Sequence, residues 1–423
     1  LDTISEAGGM RVAVLGGGVV GVTAAWMLQR DGHEVTLVER AQEAASFTSF
    51  ANAGLVAPGH AYAWSSPKAP GTLLRSLWRG DQALRFRPNL DPALWRWTLK
   101  FLRQCTVERA ALNTARKARL CIYSQALLHE VAADSGVQYD ARGGGLLYLY
   151  RKPESYAGAV GKMRVLTDQG IALRSLTPAQ AAELDPALAP VQARLAGAIY
   201  APTDESGDAR LFTLGLAEAC AAKGVRFRYG ETVAGFRLDG DRVEAAVTDK
   251  GEVAAEAFVL ALGVYGPHLA RQLGTRLPIY PVKGYSVTLP IGGRDSAPGL
   301  GGVDEDNLVA YARFGDRLRI TATAEFAGYG TAHKPADFKH MLGAARDLFP
   351  AGGDWTRPSY WAGLRPMTPE GTPLLGRGRH ANLYYNVGHG HMGWTMACGT
   401  AKIVADQIAG RTPEIPLDGM TLH

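Results

Sequence analysis

Three glycines and a glutamate are the first residues whose spacing implies chemistry. Gly16-x-Gly18-x-x-Gly21 is followed by Glu39, 18 residues past the last glycine. That pattern suits a dinucleotide. Gly16 permits a tight turn, Gly18 lets the backbone approach a pyrophosphate, and Gly21 lets a helix pack closely on a strand. A helix that begins at Val19 and Val20 offers free N–H groups and a positive dipole end to the phosphates. Glu39, with Arg40 after it, can accept hydrogen bonds from a ribose diol. An acid there disfavours a 2′-phosphate, so FAD or NAD is preferred over NADP.

These residues work only if the right elements hold them. Arg11–Leu15 reads as a buried parallel strand, Val19–Arg30 as a helix that Asp31-Gly32 ends, and His33–Val38 as a second strand. A rival reading exists, because no charge lies between Arg11 and Arg30, a length close to a membrane span. The glycine cluster at 16–18 and 21 would weaken such a helix for no packing purpose. A signal peptide would need a cleavage site and a polar mature start, and a second apolar strand follows instead.

The rest of the chain alternates strands and helices. Ser46–Gly54 is rich in small residues and could run along an extended ligand. Residues 61–130 have helical apolar spacing, as in the run from Pro92. Thr177 and Pro178 start a short capped helix, and an acidic turn, Asp204–Asp208, precedes a helix over Leu211–Lys223. Strands are expected at Val225–Tyr229, Val233–Leu238, Val243–Thr248 and Ala257–Ala261. Residues 277–323 are strand-rich and 336–348 helical. Leu383–Val387, then Gly388 onward, repeats the strand, glycine turn, helix pattern. The expected fold is α/β (α+β overall): a Rossmann-like nucleotide domain from 10–60, 201–265 and 361–411. It is interleaved with a second domain of mixed β-sheet and helices from 61–200 and 266–360.

Composition narrows the class. A net charge of +5 over 423 residues is mild and does not suggest nucleic acid, which needs a concentrated basic face. One stretch is uneven: between Arg75 and Arg119, eleven basic residues face three acidic ones, with Trp78, Trp95 and Trp97 among them. It reads as the solvated face of helices, or as a surface for anionic lipid or a partner. The cysteines, Cys105, Cys121, Cys220 and Cys398, have no metal-ligand spacing, so no metal is expected and a reducing cytoplasm is the simplest setting. Met10 is the expected natural start.

Five motifs in order carry a family resemblance: the N-terminal fingerprint, "TSFANAG" (48–54), "YPVKGYSVTLPI" (280–291), "GLRPMTPEGTPLLG" (363–376) and "GHGHMGWTMACGTA" (388–401). Together they resemble the FAD-dependent D-amino-acid dehydrogenase small-subunit family, within the group of glycine oxidase, sarcosine oxidase and D-amino-acid oxidase. The resemblance implies FAD and oxidation of a D-amino acid to an imino acid, hydrolysed to a 2-oxo acid and ammonia. It implies electrons passed to a quinone or another carrier, contact with the cytoplasmic face of the membrane, and a partner subunit. It also implies a cofactor strip of Ser49, Ala51, Asn52, Gly54 and Leu55. Val233 matches a main-chain adenine contact, and Ala261 with Gly263 matches a segment that packs on the cofactor, though Leu262 departs from the family's threonine. Gly363 and the turn of Gly388, His389, Gly390, Met392, Gly393, Trp394 and Thr395 would face the flavin.

The same resemblance makes Arg365 the substrate-carboxylate holder, a role its planar, bidentate guanidinium suits. Gly363 and Pro366 are expected to fix a turn that projects it over the flavin. His389 or His391 could polarise the substrate or accept the amine proton. Tyr311, and more weakly Tyr285, could help hold the carboxylate. Three rivals remain open: an oxidase or dehydrogenase acting on glycine, sarcosine, D-proline or D-hydroxyproline; a noncatalytic FAD subunit; and an NAD dehydrogenase.

Overall fold

A computed structural model describes residues 9–76, 83–293 and 296–422. Trp78, Arg79 and Asp81 of the basic stretch lie outside the described residues.

Two sheets organise the chain. The first has six strands in the order Leu374–Arg377, Leu383–Val387, Ala257–Leu260, Arg11–Leu15, Glu34–Glu39 and Arg226–Tyr229. All its pairs are parallel except the first. Strand alternation explains its two faces. Val12 and Val14 pack with Trp26, Phe212 and Ala397 under helices Val19–Arg30, Ala209–Ala222 and Gly393–Ile408. Ala13 and Leu15 turn the other way, to a core shared with Val243, Ala246 and Val253 of a small antiparallel sheet over 233–254.

The second sheet has nine strands. Its main path runs Ser359–Met367, Tyr280–Pro290, Arg317–Phe326, Val309–Phe314, Gly301–Asp304, Leu146–Tyr150, Gly197–Ala201 and Arg174–Leu176. Leu84–Phe86 adds to the strand Arg317–Phe326. One face packs Val287, Leu289, Leu318 and Ile320 against Met341, Ala345 and Leu348 of helix Lys339–Leu348.

Local rules account for the helix ends. Thr177 forms the full capping box with Gln180. Asp208, part of the acidic turn, caps the next helix by accepting from Arg210 and Leu211, so that helix starts at Ala209, two residues earlier than expected. The longest helix, Val107–Ser135, starts at a Thr106 cap and ends at Gly136 with φ +69°.

Residues 361–367, expected within the nucleotide domain, do not join the six-stranded sheet. They pair with Tyr280–Pro290 as an edge strand of the larger one. Gly363 and Pro366 are therefore mid-strand, opposite Gly284 and Pro281, rather than in a turn. A proline is tolerated there because an edge strand needs no N–H on its outer side. Among the described residues, no helix is long and apolar enough to cross a membrane.

Candidate functional site

Between the two sheets lies a cavity of about 1220 Å³. That exceeds the range of roughly 300–1,000 Å³ for ordinary ligand pockets. On the side of the six-stranded sheet, Gly16 turns at φ +114°, and a Cβ there would sit 2.6 Å from the Ala261 carbonyl. A Cβ on Gly21 would sit 1.8 Å from the Gly16 carbonyl, so helix and strand touch as their spacing requires. Glu39 is buried and aims back at the turn, with Oε2 accepting from Gly17 N (2.6 Å) and Oε1 from Ala41 N (2.8 Å). A carboxylate has about four acceptor sites, so two remain for a ligand hydroxyl. The Val19 amide is not free: it donates to Ser49 Oγ at 3.0 Å, which ties the small-residue strip to the helix start.

That strip lines the cavity through Ser49, Ala51, Asn52, Gly54 and Leu55. Asn52 Oδ1 accepts from Gly54 N (3.0 Å), and its carbonyl accepts from Arg319. Thr395 Oγ1 accepts from Ala57 N and donates to the Leu55 carbonyl, each at 3.2 Å, binding the last helix to the same strip. Val20, Arg40, Val233, Ala261, Gly263, Gly363, Gly390, Met392 and Gly393 also line the cavity. The Arg40 guanidinium lies about 4 Å from both the Phe47 and Tyr265 rings. Trp394 reaches the lining, but its ring packs on Phe212 and Tyr139 in the core. Gly21 and Gly388 stand behind the wall. Gly388 turns at φ +80°, and a Cβ there would strike Thr368 at 2.7 Å.

The opposite wall is the large sheet. Arg365 is half-buried and lines the cavity, and its Nη1 donates to the Thr323 carbonyl at 2.7 Å. It forms no ion pair with a carboxylate of any described residue, and burial alone lowers its pKa to about 10. Two backbone features make its place. Gly284 opposes Gly363, and a Cβ on Gly284 would fall 2.5 Å from the guanidinium. Thr323 has φ +66°, beside a register shift in the strand pair, and its carbonyl meets Arg365 there instead of joining the ladder. A non-glycine residue in that conformation costs about 1–3 kcal/mol, strain that is concentrated at functional sites.

The histidines separate. His389 is buried, with Nε2 2.9 Å from Thr400 Oγ1, and burial pulls its pKa down to about 3. It stays neutral at ordinary pH and is a poor acceptor for an amine proton, contrary to one expected role. His391 stacks on Trp64, with ring centroids 4.7 Å apart, and its Nε2 has no partner among the described residues. Burial, with Lys117, His60 and Arg365 nearby, holds it well below the usual range.

Tyr311 does not join the site. Strand alternation sends Ala310 to the cavity and Tyr311 to the far side, where its ring meets Phe349 and its hydroxyl is buried without a partner. Tyr285 lines the cavity, but its hydroxyl donates to Glu325.

Several residues of the site escaped the sequence reading. His60, Glu305, Trp64 and Asn386 all line the cavity. His60 follows the small-residue strip in "APGH", and Glu305 sits in an Asp-Glu-Asp run. Both signals are weak, since each also fits an exposed turn.

Known proteins share the family and the fold of this chain. A family model described as "DAO: FAD dependent oxidoreductase" matches residues 11–407. D-amino acid dehydrogenase 2 of Mesorhizobium japonicum is 46% identical, over 97% of this chain and 99% of that one. The D-amino acid dehydrogenase of Paramagnetospirillum magneticum is 47% identical, over 97% and 98%. Glycine oxidase from Geobacillus kaustophilus superposes with a TM-score of 0.74 at 25% identity, covering 98% of this chain and 99% of that one. L-proline dehydrogenase from P. horikoshii, with TM-score 0.75 at 19% identity, covers 98% and 97% and shares the fold. Matched over nearly its whole length, the chain belongs to the DAO family of FAD dependent oxidoreductases and is a flavin-dependent enzyme.

Proposed function

We propose that this enzyme oxidises a D-amino acid to its imino acid, which water converts to a 2-oxo acid and ammonia. The observation that carries the reading is Arg365: a half-buried guanidinium on the cavity wall, without a carboxylate partner among the described residues. A cation partly removed from water and left without a carboxylate favours a ligand that supplies the anion. A substrate carboxylate does so, with two parallel N–H···O bonds. The relatives named D-amino acid dehydrogenase supply the substrate class.

The lining suits FAD. Both side-chain amide atoms of Asn386 and the Nε2 of His391 are buried on the cavity wall without partners, so a polar ligand is called for. The Gly16–Val20 turn and the spare acceptors of Glu39 would hold the nucleotide. Val233, the strip from Ser49 to Leu55, Ala261 and Gly263 would flank it, and the start of helix Gly393–Ile408 would sit by the flavin. When bound, FAD supplies the hydride acceptor for the substrate Cα–H. The chain orients the substrate: Arg365 fixes the carboxylate, and the apolar walls exclude water. In this reading the six-stranded sheet is the cofactor half and the nine-stranded sheet the substrate half. Electrons leave to a quinone or another non-NAD carrier. Helix Pro92–Gln104 exposes Trp95, Leu99 and Leu102 beside Arg96, Lys100 and Arg103, which favours peripheral contact with an anionic membrane.

The test is anaerobic flavin bleaching over a panel of D- and L-amino acids, glycine and D-proline. D-amino acids bleach the flavin and their L forms do not. Preference for glycine would instead favour the activity named for the Geobacillus kaustophilus relative. Arg365→Ala retains its yellow colour while KM rises or turnover disappears; normal kinetics in that variant reject the reading. Dye reduction without peroxide separates dehydrogenase from oxidase, and co-sedimentation with anionic liposomes at low salt tests the membrane contact.

A further inference from the structure

The cavity wall carries a histidine–carboxylate pair that the reading above leaves unused. His60 ends the short helix Pro58–His60, and its Nε2 lies 2.6 Å from Glu305 Oε1. Its ring stacks on Tyr148, with centroids 4.9 Å apart, and Tyr148 in turn donates to Asp204, which accepts from Gly59 N. The imidazole is thus held by a carboxylate at one nitrogen and by a stacked ring on its face. Nδ1 has no partner among the described residues. Both His60 and Glu305 line the cavity.

The sheet relates Glu305 to Thr323, the residue whose carbonyl holds Arg365. Val303 pairs with Ala310, and Ala310 with Thr321, so these three form one row across three strands. Two residues further in the same direction lie Glu305 and Thr323, the latter holding Arg365. Two strand spacings separate them, about 10 Å. Glu305 holds His60 and Thr323 holds Arg365, so the two side chains line one cavity from neighbouring parts of the same sheet.

We propose that His60, oriented by Glu305, is the catalytic base that takes the proton from the substrate ammonium group. This rests on the amino-acid oxidation proposed above. The N–H bond of the ammonium breaks, an Nδ1–H bond forms on His60, and the amine lone pair becomes available to stabilise the imine as the Cα–H leaves. Glu305 stabilises the imidazolium, and the proton is later released to water.

The surroundings favour proton uptake at His60 over the other histidines. Burial and Lys117 lower its proton affinity, and Glu305, with help from Asp204, more than restores it, so the net shift is upward. The titratable groups around it are Glu305, Asp204, Lys117, Tyr62, Tyr148 and His391. Lys117 is occupied at the Tyr62 carbonyl. His389 and His391 are both shifted downward.

Anaerobic stopped-flow reduction of the holoenzyme by D-alanine from pH 6 to 10 tests this. In His60→Gln, with FAD bound, the second-order rate of reduction at pH 7 falls on the order of 10²-fold. It recovers toward pH 10, where dissolved D-alanine has already lost its ammonium proton. Glu305→Gln moves the acidic limb of the profile to lower pH, because the support for the imidazolium is gone. A readout without turnover is the binding of 2-aminoisobutyrate, which has no Cα–H. Its affinity rises from pH 6 to 8 in the parent and is flat in His60→Gln. A parent-like pH profile in His60→Gln, or failure of that variant to recover at pH 10, overturns the role of His60. If His60→Gln does not retain FAD, an unshifted limb in Glu305→Gln overturns it. Failure of every D-amino acid to reduce the parent at any pH overturns the amino-acid reading itself.

Discussion

The two walls of the cavity are built by different means. The wall proposed to hold the nucleotide is local in sequence: Gly16, Gly18, Gly21 and Glu39 lie within one β-α-β unit, and backbone geometry does most of the work. The wall proposed to hold the substrate is assembled by strand pairing. Arg365, Thr323, Gly284 and Glu305 come from four segments of the large sheet. The first wall tolerates almost no added atom. The second depends on one charge, Arg365, kept apart from every carboxylate of the described residues. Substitutions on the first wall should therefore destroy the folded flavoprotein, and those on the second should leave it intact and inactive.

The largest effect tests the first half of that contrast. Gly21→Val places a Cβ 1.8 Å from the Gly16 carbonyl, a backbone atom that cannot step aside. We expect loss of FAD and of soluble folded protein, read from the flavin absorbance of the purified chain. A yellow, cooperative Gly21→Val variant would break the comparison.

Gly284→Ala tests the second half. Its Cβ meets only the far end of Arg365, which can swing away, so folding and FAD content should be nearly unchanged. The displaced guanidinium loses its substrate geometry, and kcat/KM falls on the order of 10²-fold, carried by KM. A parent-like KM would mean that Arg365 does not hold the carboxylate.

His389 sharpens the comparison through stability. Its folded pKa of about 3 lies below the unfolded value near 6.5. Between those values the unfolded chain holds the proton and the folded chain does not, so this group's contribution to stability falls as pH falls. Relative to His389→Gln, the parent should lose about 2 kcal/mol from pH 7 to pH 5, measured by denaturant unfolding of the two proteins. Equal slopes would show that His389 protonates in the folded state and remains a candidate base.

The smallest effect concerns Tyr311. Its hydroxyl is buried without a partner on the far face of the sheet. Tyr311→Phe should leave kcat and KM unchanged and alter stability by no more than about 1–2 kcal/mol, in the stabilising direction. A marked loss of activity would return Tyr311 to the site.

The turn and packing of the first wall are legible in residue spacing. A glycine that must turn or approach a backbone leaves a fixed spacing, and the strands and helix that carry it show their own periodicity. The sequence also exposed Arg365, but only through likeness to a known family, not through any local pattern. It misjudged the surroundings of that arginine, expecting a turn where pairing with Tyr280–Pro290 makes a strand. It placed Tyr311 on the wrong face, because the facing of one strand residue depends on register, and one step reverses it. It passed over His60 and Glu305, which are 245 residues apart and meet only through the sheet. Backbone demands are local and can be written in residue spacing. Charge placement, burial and the proton affinity that follows depend on which distant strands become neighbours, and the tertiary structure alone decides that.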